Sequence, residues 1–247
     1  MPSPTYQRIA DDLRAAIVDG HLPAGAKVPS RHELARQYEV SDRVAVEAVR
    51  LLAAEGFVEA RSGSGTYVRQ RPEQQRLTRS WYTSRRGGSP FRAEMDAAGR
   101  GGTWRSSSER AEMTPSVAKR LDGAAGDPAM QTRYTFLADD EPVTLSTSWE
   151  PLSLTEGTAV MFPEEGPHAG RGVVERMAAI GQEITHAEET VTARPALASE
   201  ADRLSIRPGS IVIVIARVYH TAERPVETAD IIIPVERYAL VYQVPVR

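Results

Sequence analysis

Apolar side chains recur at helical spacing from the start of the chain. Tyr6, Ile9, Ala10, Leu13, Ala16 and Ile17 share one face, and Gly20 with Pro23 stops the run. Ser30 opens a second helix, where Ser30 and Glu33 form a capping-box pair that satisfies two free backbone N–H groups. Leu34 and Ala35 face inward. Ser41 is the expected N-cap of a third helix, with Ala45, Ala48, Val49 and Leu52 as its apolar stripe and Gly56 at its end. Residues 57–60 and 66–68 then read as short strands around a turn at 61–65.

Residues 69–89 are rich in Arg, Gln, Ser and Gly and poor in aliphatics, which predicts a linker. Beyond Pro90 the pattern is mixed. Thr114-Pro115 opens a short helix. Residues 130–137 and 143–149 are strand-like around Asp139-Asp140-Glu141-Pro142, a hairpin. Helices are expected at 172–180 and 199–204, strands at 184–194, 211–220 and 226–235, and a closing strand at 238–244. Long antiparallel strands with short helices between them give an α+β class. The expected organisation is a DNA-binding domain at 1–70, a linker at 71–89 and a larger α/β domain on an antiparallel sheet at 90–247.

A length of 247 residues suits two domains better than one. The 41% hydrophobic and 26% charged content is that of an ordinary globular protein. The chain has no cysteine, so disulfides and cysteine-based metal sites are excluded. It shows no signal-peptide pattern and no apolar run of membrane-spanning length, so the cytoplasm is the expected location. Net charge is −3, which taken alone argues against nucleic acid. Its distribution reverses that reading: residues 1–72 carry +1, 73–105 carry +4 and 106–247 carry −8. DNA binding needs only a local basic footprint.

Three helices followed by a two-stranded wing describe a winged helix-turn-helix. Its third helix would enter the major groove with its N-terminal residues first. The outward positions there are Asp42, Arg43, Val46, Glu47 and Arg50, with Ser41 at the cap. Arg43 can pair with guanine O6 and N7 or with phosphate. Asp42 or Glu47 can accept from cytosine N4 or orient Arg43, and Val46 can touch a thymine methyl. Arg31 and His32 begin the second helix, where free N–H groups favour a phosphate. The wing residues Arg61, Ser62, Gly63, Ser64, Gly65 and Thr66 can approach a DNA backbone or minor groove closely.

These residues carry a specific resemblance. Tyr6, Ile9-Ala10, Leu13-Arg14, Ile17, Gly20, Gly25, Val28-Pro29-Ser30, Glu33-Leu34-Ala35, Tyr38, Val40-Ser41, Ala48, Leu52, Gly56-Phe57-Val58, Gly63 and Gly65-Thr66-Tyr67-Val68 resemble the N-terminal domain of the GntR family of bacterial transcription regulators. Residues 90–245 are more loosely similar to the effector domain of its HutC subfamily, the UTRA fold, which is similar to chorismate lyase. The anchors include Arg133, Glu141-Pro142, Leu204, Pro208-Gly209 and Pro225-Val226-Glu227. Three basic contact positions depart from the family pattern. Asp42 follows Val40-Ser41 where Arg is usual, Val46 replaces a second Arg, and His32 replaces the Arg of the second helix. The resemblance therefore implies the fold and an operator of its own.

For the effector pocket, the resemblance implies Phe91 and Arg92 at the start of the domain and Arg133 as the first of an Arg-x-Arg pair, with Thr135 in place of the second. It also places Ser146 where an acid is usual, Glu227 in the Pro-Val-Glu triplet, and Ile233 where an aromatic is usual. One Arg in place of two loses a charge-assisted bond to an anion, so a less charged or more apolar effector is expected than a sugar phosphate. Arg133 can also be a surface cross-strand pair and Glu227 a hairpin-edge salt bridge.

Enzymatic readings are weak. The five His show no metal-ligand spacing, no Gly-rich phosphate loop follows a strand, and no Ser occupies a nucleophile elbow. No cofactor or metal is implied. The expected function is a transcription regulator, most simply a repressor, that reads an inverted repeat as a homodimer with half-sites about one helical turn or less apart. A small-molecule effector in the C-terminal domain would release it through the linker. The apolar strand 211–215 is either a dimer surface or plain sheet core. The alternative is a constitutive repressor of the plasmid-transfer type whose C-terminal domain only dimerises. Arg43→Ala is expected to weaken specific binding more than Arg71→Ala does.

Overall fold

Burial of the predicted stripes builds the N-terminal part of the molecule. A computed structural model describes residues 5–70, 74–79 and 89–242, and the chain divides into two compact units, Met1–Glu73 and Gln74–Arg247. In the first unit, helices α1 (Thr5–Val18), α2 (Arg31–Gln37) and α3 (Asp42–Ala54) precede strands β1 (Val58–Arg61) and β2 (Gly65–Val68). Ile9, Ala10, Leu13, Leu34, Ala45, Ala48 and Leu52 form one core with Val28, Val58 and Val68. The capping box closes as the sequence predicts: Glu33 N–H donates to Ser30 Oγ (3.3 Å) and Ser30 N–H to Glu33 Oε2 (2.7 Å). Ser41 has N-cap backbone geometry, but its side chain caps no N–H. β1 and β2 pair antiparallel from Val58↔Val68 to Arg61↔Gly65, and Lys27 bridges to Tyr67.

The second unit is built on a six-stranded antiparallel sheet. Its strands are β4 (Gly102–Glu112), β5 (Pro128–Ala138), β6 (Glu141–Pro151), β7 (His186–Pro195), β8 (Ile211–His220) and β9 (Pro225–Pro234), in the order β4-β5-β6-β9-β8-β7. The β5–β6 hairpin turns on Asp139 and Asp140, both with positive φ (51° and 65°), which matches the right-handed strand twist. Helices α5 (Pro115–Arg120) and α8 (Ala198–Leu204) cover one face. There Val117, Ala118 and Leu121 pack on Trp149, and Leu204 packs on Leu145, Val212 and Ile232. The other face is roofed by α4 (Pro90–Ala97), β3 (Gln75–Arg79) and β10 (Tyr238–Tyr242) through Leu77, Met95 and Tyr238. Helices α6 (Leu152–Thr155) and α7 (Gly172–Ala178) complete the unit.

Two sequence expectations change, and one open alternative resolves. Residues 75–79, read as linker, form a strand, because Leu77 inserts into the core and pairs across from Leu240. The remaining linker positions 71–73 and 80–88 lie outside the described residues, as do 243–244 of the expected closing strand. That strand, β10, does not close the large sheet but runs parallel to β3. The run 211–215 lies between β9 and β7 with Val212 and Ile215 fully buried, so it is sheet core.

Candidate functional site

The start of α3 is organised by charge. Asp42 Oδ2 lies 2.9 Å from His32 Nδ1 and 3.7 Å from Arg31 Nε, so it ties the beginning of α3 to that of α2. Asp42 therefore engages the two residues that begin the second helix and does not orient Arg43. Glu47 faces Arg50 at 3.6 Å. Arg43 is exposed and ion-pairs with no described residue, which leaves its guanidinium fork available. Val46 is half-buried beside it.

The wing is held by aromatic and hydroxyl contacts. The Arg61 guanidinium stacks 4.5 Å from the Tyr67 ring centroid and bonds Glu59 (3.1 Å), while the Ser64 and Tyr67 hydroxyls lie 2.6 Å apart. Gly65 has φ +120°, a backbone conformation that favours glycine, and the end of the flexible Lys27 side chain lies beside it. Ser62 and Gly63 are exposed at the tip, and Thr66 is half-buried.

A cavity of about 760 Å³ lies in the second unit between the large sheet and its roof. Phe91, Trp104, Tyr134 and Phe136 form an aromatic wall, with Phe91 4.9 Å and Tyr134 5.4 Å from the Phe136 ring. Five carboxylates border the space: Glu94, Glu150, Glu164, Glu189 and Glu227. Three have arginine partners. Arg176 holds Glu150 through two bonds (2.7 and 2.9 Å), Arg79 holds Glu189 (2.9 Å), and Arg217 reaches Glu227 Oε1 (3.1 Å). The other two are held by neutral donors. Glu164 accepts from Trp104 Nε1 and the Tyr134 hydroxyl, each at 3.0 Å, and Glu94 accepts from the Thr78 N–H.

Burial pushes the Glu94 and Glu227 carboxyls above the ordinary carboxylate range; Arg79 and Arg217 respectively oppose that rise. Glu189 is also buried, but its bonds from Arg79 and Tyr242 carry it below the usual value. The Tyr242 hydroxyl is pushed up to about 12, by burial first and then by Glu189. Glu227 is fully buried, and neither its Oε2 nor Arg217 Nε has a partner among the described residues. Polar atoms in that condition are costly unless something satisfies them.

The residues expected for an effector pocket divide by strand parity. Phe91, Ser146 and Glu227 border the cavity. Arg133 and Thr135 do not: they occupy the opposite face of β5. Arg133 pairs with Glu109 on the surface, and the Thr135 hydroxyl accepts from Arg203 (2.9 Å). A one-residue offset exchanges the faces of a strand, and the cavity side of β5 presents Tyr134 and Phe136. Arg92 is exposed and stacks on Trp104 at 5.0 Å, while Ile233 does border the cavity. Sequence reading passed over Trp104, Tyr134, Phe136, Glu164, Arg79 and Arg217. The alternation of Tyr134 and Phe136 along β5 was the available signal. Nothing local marked Glu164, which lies on irregular chain between α6 and a 3₁₀ turn at Gly166–His168.

Comparison with known proteins agrees with this architecture. Residues 5–68 match the family model of bacterial regulatory proteins of the gntR family, and residues 102–239 match that of the UTRA domain. A GntR-family transcriptional regulator of known crystal structure is 49% identical, with a TM-score of 0.89 over 99% of each chain. An uncharacterized HTH-type transcriptional regulator of Streptomyces coelicolor is 28% identical over 229 residues, 90% of this chain and 85% of that protein. PhnF from Mycobacterium smegmatis, 20% identical, shares the fold with a TM-score of 0.56 over 97% of this chain and 100% of its own.

Proposed function

The chain belongs to the GntR family of bacterial transcription regulators, with the winged helix-turn-helix and UTRA domain of the HutC-like architecture, and from that premise we propose that it is an effector-released repressor. Two copies bind an inverted-repeat operator, each placing α3 in a major groove. Arg43 is the base-reading arginine, Val46 offers an apolar contact, and the wing from Arg61 to Thr66 lies against the backbone. A small molecule in the cavity of the second unit favours an arrangement of the dimer that no longer fits the operator. The protein performs binding and no chemical step.

One observation carries this reading: an open-mouthed, aromatic-walled space of about 760 Å³ that holds a fully buried carboxylate oxygen without a partner among the described residues. Such a space is built for a ligand rather than for packing. Strand β3 supplies a route of coupling, because Arg76 to Arg79 border the cavity and follow the DNA-binding unit closely in sequence. A ligand acts through β3 only by binding one arrangement more tightly than the other.

The test combines thermal shift of the full chain against a metabolite library with release of bound operator DNA. Compounds that raise the melting temperature should also release DNA. Operator binding that persists with every compound would replace this reading with that of a constitutive repressor. The departures at His32, Asp42 and Val46 further predict a distinct half-site. Selection from random DNA that returned the family's common operator would contradict that part.

A further inference from the structure

The chemistry of the cavity restricts what it can hold. Of the five bordering carboxylates, three are paired with arginines, of which Arg176 and Arg217 each keep an Nε without a partner among the described residues. Glu164 forms no direct ion pair among the described residues, although its charge acts on Arg176: its two oxygens accept from the indole N–H of Trp104 and the hydroxyl of Tyr134. Both donors belong to rings of the aromatic wall, whose faces attract positive charge. A second acceptor, Glu227 Oε2, is fully buried and unpartnered at the same cavity. At the aromatic wall an anionic ligand would meet the Glu164 carboxylate, while Arg76, which ion-pairs with no described residue, borders the cavity from β3. A cationic one would gain a carboxylate, a π-face and, at its other end, a waiting acceptor.

Resting on the effector reading above, we infer that the ligand class is an amphipathic organic cation: a protonated nitrogen on an aromatic or hydrocarbon body. The nitrogen lies against Glu164 beside Trp104 and Tyr134. The body lies on Phe91 and Phe136, and a further hydrogen-bond donor, where the ligand has one, reaches Glu227. Glu164 selects the sign of the charge, and the aromatic wall selects the body.

Matched pairs of probes test this on the full-length protein. Phenethylamine and tryptamine carry the same rings as phenylacetate and indole-3-acetate, with opposite charge. The amines should raise the melting temperature by about 3–6 °C at ten times their dissociation constant, and the acids should not. Glu164→Gln should abolish the response. It keeps both local bonds, since its amide oxygen accepts from Trp104 and its NH₂ donates to the Tyr134 oxygen, so the variant should fold, which its own melting curve checks. Glu164→Asp, which keeps the charge, should retain part of the response. Larger shifts with the acids, no shift with either series, or an amine response that survives Glu164→Gln would overturn the inference. Operator release by an anionic compound would refute the cation class and leave the effector reading standing. Failure of a broad library to release DNA would remove both.

Discussion

Arg43 and Asp42 are neighbours with opposite roles. Asp42 is committed to His32 and Arg31, so the side chains at 32 and 42 face one another as a matched pair. Arg43 is left as the exposed fork of the recognition helix. Arg43→Ala should cost about 1–3 kcal/mol in specific binding and relax selectivity at one base pair, read by fluorescence anisotropy on specific and scrambled duplexes. Equal losses on both duplexes would remove Arg43 from base readout. The Arg71 comparison expected from the sequence falls outside the described residues. In the second unit, Glu150 and Arg176 are 1% and 2% exposed and doubly bonded. Glu150→Ala strands a buried guanidinium and should destabilise the protein by about 3–5 kcal/mol in urea unfolding. At this scale the family resemblance, rather than periodicity, pointed to Phe91 and Glu227, and both border the cavity. At Arg133 the pocket role gives way to the alternative, a surface cross-strand pair with Glu109, because the strand was identified but not which face the side chain takes.

Elements with their own start signals were readable, and elements stabilised by partners far along the chain were not. The Ser30–Glu33 box and the Thr114-Pro115 cap locate α2 and α5, and Thr114 Oγ1 accepts from the Val117 N–H at 3.4 Å. The same kind of signal at Ser89-Pro90 marks α4 and was overlooked, because the helix buries little beyond Met95. β4 is an exposed edge strand whose polar residues show no clear alternation. β3 has the composition of a linker and exists because β10 and Leu240 wait for Leu77. Its end is tied to β7 by the Arg79–Glu189 pair. The Glu189 carboxyl lies below its ordinary 4.5, held there by Arg79 and Tyr242 against its burial. Its contribution to stability is therefore fully present above the unfolded value and lost as pH falls through the lowered folded one. Glu189→Gln should flatten that acid limb of the stability curve, measured by urea midpoints at successive pH values; an unchanged limb would deny the pair its role.

On the scale of the whole molecule, charge separates function: an acidic body of −8 over residues 106–247 follows a front that is basic overall. No helix among the described residues is long and apolar enough to cross a membrane. β4 and β7 each leave one edge of the large sheet unpaired among the described residues. A two-fold reader of an inverted repeat should have twice the chain mass of 27.0 kDa in light scattering, and a monomer when bound to DNA would contradict the operator symmetry proposed here. The domain order was legible because each unit has its own pattern. The cavity was not, because its wall is assembled from β3, β4, β5, α4 and irregular chain that only the sheet brings together. The central claim is that occupancy of this cavity controls DNA binding. Titration of a preformed protein–operator complex with a compound that raises the melting temperature tests it most directly. The account predicts that operator affinity falls as the cavity fills and that Glu164→Gln blunts the fall. Operator affinity that stays constant while the ligand saturates the second unit would contradict it.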